Sequence, residues 1–201
     1  PDAPALGDLL SKLGLRCLTR LIYLRRASSL VGNASLSHAA TGADLEWVPF
    51  SRKSERLFER TIEATYAQTL DCPELSGVRR MEDVLAGHRA AAEFDPANWF
   101  VALRAGTPVG VLLLGGLPAQ DALEIVYMGV SQPARGQGVA DALLWRAVRS
   151  TEERSVKYLA LAVDRRNVPA RRVYARWGFV ETGTRDAWIL SASSGDAATP
   201  I

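Results

Sequence analysis

Reactive side chains are scarce in this chain. Its 201 residues include only two cysteines and two histidines. Cys17 and Cys72 show neither a CxxC pair nor metal-ligand spacing. That argues against a disulfide scaffold and for two free thiols in a reducing, cytoplasmic setting. His38 and His88 stand apart from other ligand types, so each reads as a surface residue and no metal site is expected. No run of about 18 apolar residues is present, which excludes a membrane-spanning helix. Residues 1–30 lack the uninterrupted apolar core of a signal peptide. Basic residues are dispersed rather than interleaved with aromatics, so no nucleic-acid partner is expected.

What is present is ordinary for a globular chain. Hydrophobic residues make up 48% and charged residues 23%, enough for one domain or one domain with an appendage. The charge is unevenly spread: residues 135–176 hold ten Lys/Arg against four Asp/Glu, and residues 44–98 hold seven against eleven. Solvated helix faces explain most of this. The functional alternative is a basic side for a polyanionic ligand and an acidic side for a cationic one.

The most informative stretch runs from Val130 to Ala140. An apolar strand pattern ends at Val130, and a helix pattern begins near Gly138, with Ala140, Leu143, Leu144, Ala147 and Val148 on one face. Between them lie Pro133, Arg135, Gly136, Gln137 and Gly138. Glycines let the backbone approach a ligand closely, and a helix N-terminus offers free N–H groups. The stretch is therefore either a plain turn or an anion site suited to a pyrophosphate. It is not a dinucleotide fingerprint, which needs a third glycine, nor a P-loop, which needs Gly-Lys-Ser/Thr.

The rest of the chain reads as alternating elements. Leu6, Leu9, Leu10 and Leu13 give a helix ended by Gly14, followed by a strand around Leu21–Leu24 and a polar linker to residue 43. Helix, glycine and strand recur near the C-terminus, at Ala175–Phe179 and Trp188–Leu190. Residues 1–26 are thus either the tail of a preceding repeat or an N-terminal extension packed on the domain. Leu45–Pro49 is a strand, and helices follow around Leu57–Tyr66 and Met81–Phe94. Strands at Trp99–Leu103 and Val109–Leu114 flank Ala105-Gly106-Thr107-Pro108 as a hairpin. Further strands cover Ala122–Val130 and Val156–Val163. Asn167 is placed to cap a helix that Gly178 stops. The pattern predicts an α/β or α+β sheet with helices on both faces. The expected parts are residues 1–43, a domain over 44–191 and a frayed tail over 192–201.

Two segments carry a resemblance. Arg135, Gly138 and Ala140 are similar to the acyl-CoA signature Arg-x-x-Gly-x-Ala of the GCN5-related N-acetyltransferase (GNAT) superfamily. Asn167, Ala170, Tyr174, Gly178 and Phe179 resemble that family's downstream segment. The resemblance covers roughly residues 44–190. It implies a central mixed, mostly antiparallel twisted sheet, acetyl-CoA as co-substrate without a metal, and acetyl transfer to an amine of a small molecule, peptide or protein. A homodimer or an upstream domain of the same type is the partner expected besides acetyl-CoA and the amine.

The resemblance also implies roles. Arg135, Gly136, Gln137, Gly138, Val139 and Ala140 hold the CoA pyrophosphate, chiefly through backbone amides, with Asn167 capping its helix beside the cofactor. Backbone N–H groups of Met128, Gly129 and Val130 polarise the thioester carbonyl. Tyr174 protonates the departing thiolate. Strand alternation places Glu124, Val126 and Met128 on one face, and Glu124 is the candidate base, with a water chain as the alternative. Tyr66, Asp71 and Glu74 are candidates for the acceptor wall. Two rivals remain: a non-catalytic acyl-CoA-binding module on the same fold, and an unrelated nucleotide-binding α/β domain.

Overall fold

Every position of Val109-Gly110-Val111-Leu112-Leu113-Leu114 is apolar, the pattern of a strand covered on both faces. In the computed structural model, which describes residues 3–29, 44–75 and 80–190 (backbone only for 3–5), this stretch is the buried middle of the sheet. The elements are α1 (Ala3–Lys12), β1 (Leu15–Ala27), β2 (Leu45–Pro49), α2 (Glu55–Thr65), α3 (Met81–Ala90), β3 (Glu93–Arg104), β4 (Thr107–Leu117), β5 (Ala122–Val130), α4 (Val139–Glu153), β6 (Tyr158–Asp164), α5 (Val168–Arg176) and β7 (Val180–Leu190). Most of the expected linker, the tail over 192–201 and His38 lie outside the described residues.

The strands form one seven-stranded sheet in the order β2-β3-β4-β5-β6-β1-β7. Only β5 and β6 run parallel. Leu112 and Leu114 of β4 pack with Leu143 and Leu144 of α4 and with Tyr174 and Trp177 at α5. Val111 and Leu113 pack with Phe58 and Ile62 of α2 and Leu85 of α3. Each such leucine, fully buried, contributes roughly 1.5–3 kcal/mol. Ala105 and Gly106 both have positive φ, 49° and 76°, as a two-residue hairpin turn between twisted strands requires.

Two readings change. The helix expected to reach Phe94 stops at Ala90, because Glu93 and Phe94 pair with Gly116 and Gly115 of β4. Phe94 then stacks edge-on against Trp99, 4.8 Å between centroids. In addition, the sheet runs across the boundary placed at residue 44: β1 is an interior strand, paired antiparallel with β6 on one side and β7 on the other.

Candidate active site

The site begins with a broken pairing. Parallel β5 and β6 are in register only from Ala122↔Tyr158 to Ile125↔Leu161. On the other edge of β5 the register to β4 jumps from Leu114↔Ile125 to Leu113↔Tyr127, so Val126 is a bulge residue. A bulge bends its strand and adds twist. Beyond it β5 and β6 part, and a cleft of about 270 Å³ opens between Val126–Val130, Ala162–Val163, the end of α2 and α5.

The bulge also corrects the alternation argument. Val126 and Tyr127 both pack on the α2/α3 side, while Met128 and Val130 pack on the α4/α5 side. Met128 therefore does not share a face with Glu124 and Val126. The Ser131 N–H donates to Val109 of β4 at 3.0 Å. Strand alternation then turns the N–H groups of Met128 and Val130 away from β4, toward the cleft, and that of Gly129 toward β4.

The loop after β5 makes a 3₁₀ turn over Gln132–Ala134, then passes through Gly136 (φ 74°) and Gly138 (φ 80°) into α4. The first backbone bond of α4 runs from Ala142 N–H to Gly138 C=O. The N–H groups of Val139, Ala140 and Asp141 thus have no acceptor within the helix and carry its positive dipole end. Side chains of the loop are turned to structural tasks. Arg135 donates to the carbonyls of Thr65, Ala67, Gln68 and Val130, closing the C-terminus of α2. Gln137 bonds Pro133 C=O and accepts from Arg104. Arg135 and Ala140 line the cleft; Gly136 and Gln137 are solvent-exposed. Asn167 caps α5 by accepting from Ala170 N–H at 3.3 Å, and Asp141 joins the two helices by accepting from Trp177 Nε1 and Arg176.

Tyr174 projects from α5 into the cleft lining and is 7% exposed. Burial, reinforced by Asp71, holds its hydroxyl protonated far above the ordinary phenol range. That hydroxyl makes no hydrogen bond among the described residues. Tyr127, from the bulge, is anchored instead: its hydroxyl lies 2.6 Å from Thr65 Oγ1, which donates to Ile62 C=O. Tyr66 sits edge-on to Tyr127 at 6.0 Å, and His88, expected on the surface, stacks on it at 5.0 Å.

The three acceptor-wall candidates separate. Tyr66 and Asp71 line the cleft. Asp71 Oδ1 accepts from Asp164 N–H at 2.8 Å, and desolvation raises its pKa. Glu74 turns aside to a two-point pair with Arg166 at 2.5 and 2.9 Å. Glu124 sits at the closed end, where β5 still pairs with Ala160, and is not part of the lining. It is half-buried, and desolvation raises its pKa. Sequence reasoning missed Thr65, Tyr127, Gln68 and Asp164. A tyrosine within the Ile125–Val130 strand, where an apolar residue would serve a buried sheet, was the one available signal.

Residues 55–179 match the profile of the acetyltransferase (GNAT) family. The chain is 29% identical over 191 residues to a mycothiol acetyltransferase of Brachybacterium faecium, covering 92% of this chain and 56% of that protein. It is 28% identical over 185 residues to a mycothiol acetyltransferase of Arthrobacter sp. strain FB24, covering 87% and 54%. The chain thus spans about half the length of the curated relatives it matches. Among solved structures, a GCN5-related N-acetyltransferase from Sphaerobacter thermophilus superposes with a TM-score of 0.65 at 20% identity, over 92% of this chain and 55% of that one. Splayed parallel strands, a glycine-lined helix N-terminus between them and a profile match over most of the chain agree: this chain belongs to the acetyltransferase (GNAT) family.

Proposed function

We propose that this chain transfers an acetyl group from acetyl-CoA to a primary amine by direct attack in the β5–β6 cleft. The observation that carries the reading is the alignment along one path of N–H groups that, among the described residues, have no partner within their own helix or on a neighbouring strand. The N–H groups at the start of α4 suit a pyrophosphate, and those of Met128 and Val130 suit the pantetheine and the thioester oxygen. The cleft between the parted strands is the continuation of that path toward Tyr174.

In this reading Gly136, Gln137, Gly138, Val139 and Ala140 hold the cofactor by their backbone, Arg135 fixes the loop, Asn167 orients α5, and Gly129 lets α2 close on β5. The amine nitrogen attacks the carbonyl carbon and the C–S bond breaks. Tyr174 gives its proton to the sulfur, a role supported by a cleft-lining hydroxyl that makes no hydrogen bond among the described residues. Glu124 takes the amine proton through an intervening water, since it lies behind the cleft lining. Tyr66 and Asp71 face the acceptor, and Glu74 serves the wall behind them.

The relatives' name suggests the acceptor: the unacetylated amine of mycothiol. Turnover is tested by incubating acetyl-CoA with desacetylmycothiol, amino-acid amides, polyamines, aminoglycosides and N-terminal peptides, and weighing the products. A mass gain of one acetyl group on desacetylmycothiol is expected. Acetyl-CoA binding without transfer to any amine would favour the non-catalytic module. Binding of ATP that acetyl-CoA does not displace would refute both.

A further inference from the structure

Asp164 ends β6 beneath the acceptor wall and is fully buried. It gathers donors from three parts of the chain. Thr19 Oγ1, on the interior strand β1, donates to Oδ1 at 2.8 Å. The Cys72 N–H, in the loop after α2, donates to Oδ2 at 3.2 Å. Arg166 donates from its backbone N–H at 2.8 Å and from its guanidinium at 2.8–3.2 Å. The backbone N–H of Asp164 in turn holds Asp71 Oδ1, and the same Arg166 grips Glu74. The loop from Asp71 to Glu74 is therefore fastened at three residues, Asp71, Cys72 and Glu74, to Asp164 and Arg166. Around it the local bonds run from Asp71 N–H to Thr69 Oγ1 at 3.1 Å and from Leu75 N–H to Cys72 C=O at 2.9 Å, the latter closing the 3₁₀ turn Pro73–Leu75; the ties that fix the loop against β6 are those to Asp164 and Arg166.

We propose that Asp164, seated by Thr19, is the positioning residue of the acceptor wall: it sets where Asp71 and the Gln68–Leu75 loop stand against the cleft. This rests on the acetyl-transfer reading above. Thr19 lies outside the stretch that matches the family profile, so β1 completes the substrate side of the site as well as the sheet. Burial alone opposes a charged Asp164, yet the donors from Arg166, Thr19 and Cys72 outweigh it and bring its pKa down to about 2. The carboxylate is thus held in the charged form that these donors need. A misplacement of an ångström in such a wall costs activity on the order of 10²-fold at most, without touching the reacting groups.

Two readouts test this in the whole chain. For Asp164→Asn, KM for desacetylmycothiol should rise about 10–100-fold, with the calorimetric affinity for acetyl-CoA unchanged. Amide exchange of residues 66–75 should accelerate while peptides from β4 and α4 keep wild-type rates. Thr19→Val should show the same pattern more weakly, and Thr19→Ser should match wild type. Wild-type exchange over 66–75 in Asp164→Asn would overturn the proposal. So would acceleration spread evenly over the sheet with parallel loss of acetyl-CoA affinity, the mark of a purely structural residue. If Asp164→Asn does not fold, Thr19→Val decides by the same two outcomes. If the wild type acetylates no amine, the parent reading fails, and exchange over 66–75 still judges the positioning role.

Discussion

A Cβ on residue 129 would fall 2.6 Å from Thr65 Oγ1 and 2.7 Å from Thr65 Cβ. The end of α2 touches β5 only because position 129 is glycine. That contact places Thr65 under the Tyr127 hydroxyl and brings the Thr65 carbonyl to Arg135. Gly129→Ala should therefore push α2 outward, at a cost of about 1–3 kcal/mol. Denaturant unfolding should show the loss, and trimming Thr65 to Ala should not restore it, because the Thr65 Cβ itself is in the way.

Tyr174→Phe keeps the ring's packing and removes only the hydroxyl. As the proton donor to sulfur, Tyr174 should contribute ~10²–10⁴-fold to kcat, with acetyl-CoA affinity and unfolding free energy nearly unchanged. A stability loss with wild-type kcat would make it a core residue.

Glu124→Gln separates the two routes for the amine proton. Desolvation raises the Glu124 pKa, so with Glu124 as base the acidic limb of kcat/KM should be shifted upward from the ordinary glutamate value and vanish in the glutamine variant. If water alone carries the proton, the limb stays and follows the acceptor's own pKa.

These predictions rest unequally on what the sequence discloses. The Ala105–Gly106 hairpin, the glycine-led entry to α4 and the Asn167 cap are local: neighbouring residues decide them, and their signals survive in one dimension. The Val126 bulge has no such signal, because an extra apolar residue in an apolar strand alters no composition; it is set by how β5 must bend between β4 and β6. The Thr19–Asp164 bond joins residues 145 positions apart. From the string alone Thr19 is a strand residue and Asp164 a charge at a strand end. Arg135 was legible as a motif member, but its use in closing α2 depends on Gly129 admitting the helix. The loop proposed to meet the cofactor is thus written locally, and the wall proposed to meet the acceptor is assembled from distant segments.

Acid should weaken the hold of Asp164 on that wall only at low pH. The folded pKa of Asp164 is about 2, below the ordinary aspartate value near 3.9. A depressed folded pKa adds stability that is fully present above the unfolded value and disappears as pH falls through the folded one. The shift corresponds to at most about 2 kcal/mol, because the Arg166 partner is partly solvated. Unfolding of wild type and Asp164→Asn between pH 5 and about 2 should show a difference that shrinks steadily on acidification. A constant difference would place the effect elsewhere.

The central claim is that acetyl-CoA lies with its pyrophosphate on the amides that open α4. Isothermal calorimetry of acetyl-CoA against wild type and Gly138→Glu tests it most directly. Gly138 adopts φ 80° at the helix start, so the glutamate brings both backbone strain and a negative charge to the amides. Saturable binding to the wild type and none to a folded Gly138→Glu variant, with circular dichroism unchanged, is the predicted result. Equal affinity in the two folded proteins would contradict the account.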